Sequence, residues 1–468
     1  MKELKQNIWI LLTICLFIFM STLDSSIVNI ALPTISRELA IPLTQSEWIV
    51  SSYLLTICCT LLIFGKLGDM LGKTTVYKAG GVIFIVGSLC CGLSQNLLML
   101  VASRVLQALG SGMIMSNSNG IITETFPKQQ RGRALGILAA FVSLGAITGP
   151  GLGGLLLSQW NWNAIFLINV PIGIIGMLFG YRILPKSAHR QKQQLDYIGM
   201  CLLAGMILTF YAAIQTLTSA ALMSIALLIG TVVCFVAFYF WEKRARNPLV
   251  ELSLFKNEIF DESLVSALFV FISAFFFTMI MPFYLQEIKG FSTSQAGMIM
   301  MVFPIVQVVL APIAGYLADR LNKRVLTIIG LGLLTCGQLT YLLWQVTSPL
   351  TIIIPSIILS SMGNSLFQAP NNTIIMNAVE KRFLGIAGAL NALSRNLGMV
   401  LGVGLSTTIL TLAVHSFSNG PVNDLTSDPI IFVKGMHVAF TVSMTLCFVA
   451  FLFILTMTVK KQRQQKRL

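Results

Sequence analysis

Very few ionisable side chains stand inside the apolar stretches of this 468-residue chain: Asp24, Arg104 and Arg395, with Glu124 near the end of one stretch. A charge in an apolar medium costs about 2.5–3.5 kcal/mol on insertion scales, so each is a candidate for function. Asp24 is the one carboxylate well inside a stretch, about eight residues or ~12 Å from its end at 1.5 Å per residue. Arg104 stands at similar depth in another stretch, and the two can pair if their elements face each other. Burial favours a neutral acid and a nearby cation favours its carboxylate, so an acid in that setting can change protonation state. A static ion pair holding two elements together is the other reading. Arg395 has no acid on its own stretch. It either satisfies backbone carbonyls or Asn391, or contacts an anionic group of a ligand. Glu124, close to Pro127 and Arg131, reads as structural. His189, His415 and His437 fall in or beside loops, which speaks against a histidine relay. All nine cysteines lie in apolar runs, where cysteine behaves as a small hydrophobe. No nucleophile–base set, metal-ligand spacing or phosphate loop is present, so the chain does not read as an enzyme.

The elements that must position these groups follow from composition. The chain is 56% hydrophobic and 10% charged, with mean hydropathy +0.83. Soluble domains carry roughly 25% charged residues, so this is an all-α integral membrane protein. A spanning helix needs about 20 apolar residues, and fourteen such runs can be read, six before residue 190, six after residue 262 and a pair between. The expected organisation is a six-helix bundle over 1–190, two inserted helices over 191–241, an amphipathic linker along the membrane surface over 242–262, a second six-helix bundle over 263–459 and a basic tail over 460–468. The first run is too long for a leader peptide and leads into a polar-acidic segment, so no cleavage is expected. With both termini placed in the cytoplasm, 26 of the 31 Lys and Arg residues fall on that side. Such a bias fixes orientation. It also accounts for the formal charge of +14 as an inner-face signature, with no nucleic-acid partner.

The chain repeats itself. Gly65-Lys66-Leu67-Gly68-Asp69-Met70-Leu71-Gly72-Lys73 returns as Gly315-Tyr316-Leu317-Ala318-Asp319-Arg320-Leu321-Asn322-Lys323, an offset of 250. Arg133-Ala134-Leu135-Gly136 returns as Arg382-Phe383-Leu384-Gly385, an offset of 249. One structural unit present twice is the simplest account. The first stretch reads as a polar turn, with Gly65 and Gly72 supplying tight geometry and Asp69 accepting helix N-terminal amides or pairing with a cation. Gly145, Gly149 and Gly153 recur every four residues, with Pro150 and Gly154 beside them. They predict a smooth helix face that another backbone approaches closely, next to a proline kink.

These stretches together resemble the major facilitator superfamily, and within it the fourteen-helix drug:proton antiporters, over nearly the whole chain. Leu23-Asp24-Ser25-Ser26-Ile27-Val28-Asn29-Ile30-Ala31-Leu32-Pro33 resembles that family's helix-1 signature. The Gly65–Lys73 stretch resembles the superfamily's loop motif. Arg104-Val105-Leu106-Gln107-Ala108-Leu109-Gly110-Ser111-Gly112 is similar to the helix-4 motif, and Gly145 to Gly154 to the antiporter motif of helix 5. Gln45-Ser46-Glu47-Trp48 to Tyr53, and Tyr284-Leu285-Gln286 to Gly297, resemble further family landmarks. The resemblance implies the major facilitator fold, two six-helix bundles plus the inserted pair, alternating about a central cavity. It implies a monomer that exchanges protons for a small amphipathic compound among membrane lipids, driven by the proton gradient and without a cofactor. Asp24 and Arg104 would couple proton and substrate. Asn29, Gln107, Gln286, Asn391 and Arg395 become candidate substrate contacts. Gly65, Asp69, Gly72 and Lys73 with Asp319, Arg320, Lys323, Arg131 and Arg133 become a conformational latch. The glycine face seals against leak. The family's latch usually has arginine after its aspartate, where this chain has Met70 in one copy and Arg320 in the other. Relatives that export divalent organic cations carry extra acids in helices ten and thirteen, and this chain has none there. Two arginines against one deep acid also fit an exporter of an endogenous lipid or anionic metabolite.

Overall fold

The computed structural model describes residues 2–185, 196–217, 220–245, 248–380, 383–418 and 424–465. Among them are fourteen helices long and apolar enough to cross a membrane: α1 Asn7–Glu38, α2 Leu43–Leu71, α3 Lys73–Gly92, α4 Leu97–Thr125, α5 Gln130–Gln159, α6 Ala164–Ile183, α7 Tyr197–Thr216, α8 Ala221–Glu242, α9 Glu258–Ile288, α10 Thr293–Ala318, α11 Lys323–Tyr341, α12 Leu350–Asn377, α13 Ile386–Phe417 and α14 Pro429–Thr458. Polar caps set several starts. The Asn96 side chain accepts from the Met99 amide at 2.9 Å before α4, and Asn257 does the same for Ile259 at 3.0 Å before α9.

The chain forms two compact units. Met1–Ala213, Leu222–Leu249 and Phe291–Met298 make the first; Ile214–Ala221, Val250–Gly290 and Ile299–Leu468 make the second. The inserted helices thus belong chiefly to the first unit. Trp48 of α2 meets Tyr211 of α7 edge-on at 5.5 Å, and the Lys66 ammonium donates to the Pro248 carbonyl at 3.1 Å. The segment read as a surface linker is partly helical: Leu252–Lys256 forms a short 3-10 turn, and α9 starts at Glu258.

Glycines show how the repeat is built. In the first unit α3 and α4 cross at Gly80 and Gly110, so close that a Cβ on Gly80 would meet the Gly110 carbonyl at 2.8 Å. In the second unit α11 and α12 cross identically at Gly330 and Gly363, at 3.0 Å. Gly145 of α5 packs on Phe19 and Leu23 of α1, and Gly398 of α13 packs on Leu268 and Ile272 of α9. These contacts set the structural register. It runs at 249 for α1 to α9 and 250 for α3 to α11, but 253 for α4 to α12 and α5 to α13. The Arg133–Arg382 echo at 249 is therefore four residues, one helical turn, out of register with the packing. Arg382 itself lies outside the described residues.

The polar turn is also shorter than its sequence suggests. Helix α2 continues through Gly65 to Leu71, and the chain reverses at Gly72 alone, with φ 99°. Gly65 is a helical residue with nothing within 4 Å of where a Cβ would stand. In the second copy the reversal is at Asn322, φ −65°, whose side chain caps α11 by accepting from the Arg324 amide at 3.0 Å. One copy turns through a left-handed glycine and the other through an asparagine cap.

Candidate functional site

The helix pairs of the first unit bring four side chains from three elements to one point. Asp24 of α1 receives the Arg104 Nη1 of α4 at 2.5 Å on Oδ2. Its Oδ1 receives Gln107 Nε2 at 2.8 Å and Asn169 Nδ2 of α6 at 3.0 Å. Arg104 also donates from Nη1 to Gln107 Oε1 at 2.7 Å and from Nε to the Ile49 carbonyl of α2 at 3.0 Å. Gln107 donates in turn to Ser88 of α3 at 2.8 Å. The guanidinium lies over the Tyr53 ring at 4.1 Å. Tyr53 is fixed by its hydroxyl, which donates to Ser111 at 2.8 Å, while Ser21 bonds both Tyr53 and Ser111. Asp24 and Arg104 are 0% exposed.

Burying an ion pair is repaid only when remaining lone pairs and protons find partners, and here the carboxylate accepts from three donors. The spacing explains why these residues meet: Arg104 and Gln107 are three apart on α4 and share a face. Gly87 on α3 leaves room for the backbone of Gln107, which a Cβ there would strike at 2.5 Å. Chemically, the arrangement is a carboxylate whose charged state is held by one cation and two amides. Protonating it would leave Arg104 without its counter-charge. The site faces no solvent in this structure.

The second unit has no such pair at the equivalent positions. Ser273 stands where Asp24 does, Ile357 where Arg104 does and Ser360 where Gln107 does, by the offsets of 249 and 253. Neutral bonds replace the charges: Ser273 with Ser443 at 2.7 Å, Ser443 to Gln338 at 3.1 Å and Cys447 to Ser273 at 3.0 Å.

The other expected residues are distributed as follows. Gln107, read as a substrate contact, is instead wholly buried within the charged network. Asn29 is buried too, its Nδ2 donating to the Ser25 carbonyl at 3.2 Å and its Oδ1 without a partner. Gln286 lies in a π-helical turn, Tyr284–Ile288, at the end of α9. Arg395 lies within α13 with its Nε buried and unpartnered. Asn391, one turn away, donates to Asn372 of α12 at 3.0 Å.

In the first stretch expected to act as a latch, Lys73 bridges Asp69 at 3.1 Å and Glu124 at 2.6 Å, joining the α2–α3 turn to α4. Glu124, read as structural, ties α4 to the α2–α3 turn through Lys73, a partner that only the tertiary contact reveals. Gly120 leaves the passage for the Lys73 stem, which a Cβ would meet at 2.6 Å. Asp69 pairs with Lys73 and caps no helix. Arg131 Nε donates to the Phe126 carbonyl at 2.9 Å, while Arg133 is exposed and makes no ion pair among the described residues. The second copy differs: Arg320 lies over the Tyr316 ring at 4.6 Å, and Arg324 reaches Glu262 of α9 at 3.4 Å. Lys323 makes no ion pair among the described residues, and its carbonyl accepts from the Thr327 hydroxyl at 2.6 Å. The Asp319 side chain is outside the described residues.

On the glycine face, Gly145, Gly149 and Gly153 line α1, with the Ser26 hydroxyl donating to the Gly145 carbonyl at 3.1 Å. Pro150 and Gly154 point elsewhere in the same unit, against Thr293, Ser294 and Gly297 at the start of α10. Sequence reading missed Asn169 and Ser88, and placed Tyr53 in a landmark stretch without a role. Asn169 had a signal, as a lone amide within an apolar run. Among the described residues no group of three or more His, Cys, Asp or Glu could hold a metal ion.

The sequence profile described as Major Facilitator Superfamily matches residues 14–403. The chain is 34% identical to "Riboflavin transporter RibZ" of Clostridioides difficile (strain 630), over 85% of this chain and 87% of that protein. It is 31% identical to "Methylenomycin A resistance protein" of Bacillus subtilis (strain 168), over 87% and 88%, and 28% identical to "Multidrug resistance protein 3" of the same organism, over 86% and 79%. Among solved structures, a POT family transporter in complex with a thioalcohol-conjugated peptide aligns with TM-score 0.71 at 17% identity, covering 97% of this chain and 96% of that one. At that identity the likeness speaks for the fold.

Proposed function

The chain belongs to the Major Facilitator Superfamily, and on that premise we propose that it exports small amphipathic compounds across the bacterial cytoplasmic membrane in exchange for protons. The observation that carries the reading is the buried Asp24–Arg104–Gln107–Asn169 network, in the unit whose partner unit has only neutral groups at the same positions. Asp24 takes up a proton when the first unit opens to the proton-rich side and returns it on the other. Arg104, released when Asp24 is neutral, carries the change of state into α2 through the Ile49 carbonyl and Tyr53. Lys73, Asp69 and Glu124 hold one state and part in the other. The chain works as a monomer with both termini cytoplasmic, needs no cofactor, and draws on the proton gradient. Similarity to resistance proteins supports a drug-like substrate.

Everted vesicles with an imposed pH gradient test this. Wild type is expected to move an amphipathic dye such as rhodamine 6G, and Asp24→Asn is expected not to. Absence of gradient-driven movement in wild type, or an Asp24→Asn variant equal to wild type, refutes it. A second reading, a polar heteroaromatic solute, is favoured by similarity to a riboflavin transporter and by Arg395. Gradient-dependent movement of riboflavin in the same vesicles would select it.

A further inference from the structure

Helix α12 carries Asn364, Gln368 and Asn372 at four-residue spacing, so the three amides share one face. Gln368 Nε2 donates to Asn364 Oδ1 at 2.9 Å, and Asn372 Oδ1 accepts separately from Asn391 of α13 at 3.0 Å. Asn391 and Arg395 are also four apart and share a face of α13. Consecutive helices run antiparallel, so one turn onward from the Asn372–Asn391 contact places Arg395 at the level of Gln368. On the same side of α13, Ser394, Gly398 and Gly402 pack on α9, Ser394 donating to the Leu264 carbonyl at 3.0 Å. Asn391 meets α12 from that side, so Arg395, one turn on, faces the groove between α9 and α12 at the level of the amides.

Among the described residues no acid neutralises the cation. Arg395 makes no hydrogen bond or ion pair among the described residues, and its Nε is buried. It stands nine residues, about 14 Å, from the start of α13. The first unit offers no parallel: by the register of 253, Arg395 corresponds to Val142, Asn391 to Leu138 and Gln368 to Met115. A ladder of amides ending at an unpaired guanidinium is complete only when an oxyanion joins it, since guanidinium binds carboxylate and phosphate through paired N–H donors.

We propose that Arg395 with Gln368 and Asn364 forms a binding subsite for an oxyanion, carboxylate or phosphate, on an otherwise apolar small molecule. The subsite is the specificity determinant of the second unit, as the Asp24 pair is the ion-coupling element of the first. The proposal rests on the transport reading but names the ligand chemistry, which that reading leaves open.

The purified full-length protein in detergent is heated in the presence of 1-naphthoate, 1-naphthyl phosphate or 1-naphthylmethylammonium, three probes sharing one ring. At least one anion is expected to raise the unfolding temperature of wild type in a saturable manner, and the cation to do so at least ten-fold more weakly. The arm that responds tells carboxylate from phosphate. Arg395→Gln is expected to lose the anion response at least ten-fold, and Arg395→Lys to retain part of it. Gln368→Leu keeps the charge and is expected to weaken anion binding several-fold. Should Arg395→Gln fail to fold, the Lys and Leu variants decide. Wild type unaffected by both anions, or anion binding unchanged in these variants, overturns the subsite. Rhodamine 6G movement by Arg395→Gln vesicles is read in parallel. A wild type that binds anions but moves neither the bound anion nor rhodamine 6G under a gradient refutes the export reading and leaves the subsite standing.

Discussion

Removing charge from one partner of the Asp24–Arg104 pair should be worse than removing it from both. Asp24→Asn is nearly isosteric, so packing around α1 is preserved and the effect is electrostatic. The side chains are 0% and 1% exposed, and Asp24 is the counter-charge within reach of the guanidinium. Breaking a buried pair on one side costs about 3–5 kcal/mol because the remaining charge is uncompensated. The new amide also turns an N–H toward Gln107 or Asn169, each of which now donates to Asp24. Arg104→Met leaves the converse, a carboxylate with two amide donors and no cation. The double variant Asp24→Asn/Arg104→Met holds no buried charge, and loses only neutral and charge-assisted hydrogen bonds of about 1–3 kcal/mol each. A coupling energy of about 2 kcal/mol or more is therefore expected, with the double variant more stable than the sum of the singles implies. Unfolding of the purified protein in mixed detergent–SDS micelles measures it for wild type, both singles and the double. Additive losses would refute the structural argument. A double variant that is stable yet inactive in gradient-driven transport would show that the pair is kept for function.

The remaining expectations concern the groups around that pair. Asn169→Leu removes one donor from Asp24 and leaves Arg104 in place, so it should cost about 1–3 kcal/mol in the same unfolding assay. Gly87→Ala drives a methyl against the Gln107 backbone at 2.5 Å and should destabilise by about 1–3 kcal/mol while also slowing transport. Lys73→Met should change stability by less than about 1 kcal/mol, since Asp69 and Glu124 are 39% and 49% exposed. If the latch reading holds, the same variant cuts the transport rate severalfold with dye affinity unchanged, a split that rate-against-concentration curves resolve. Gly149→Leu should abolish folding, as Ser26 and the Ile27 amide at 3.0 Å leave no space for a side chain between α1 and α5; expression of a folded monomer by size-exclusion would contradict it.

Much of the fold is a matter of composition and run length, which is why the sequence alone determined it. Hydrocarbon excludes unpaired backbone, so each apolar run of sufficient length must be a helix, and fourteen runs give fourteen helices whatever their arrangement. The deep ionisable residues were also legible, because Asp24 and Arg104 stand out against apolar neighbours. The repeat was visible at the Asp69 and Asp319 stretches, where α3 and α11 keep a constant offset. What the sequence could not decide was which faces meet. The register of α5 against α13 depends on where Gly145 and Gly398 let backbones touch, and a short motif such as Arg133-Ala134-Leu135-Gly136 can recur one turn away from it. Gln107 reads the same on a cavity wall as in a buried network, and only the crossing of α3 and α4 places it beside Ser88 and Asp24. Glu124 joins Lys73 across 51 residues because a glycine at position 120 clears the path. Arg395 was conspicuous from the start, but whether it had a partner is a question about neighbouring helices. The tertiary structure answers that Arg395 makes no hydrogen bond or ion pair among the described residues, while Asn391, one turn away, bonds Asn372 of the neighbouring helix.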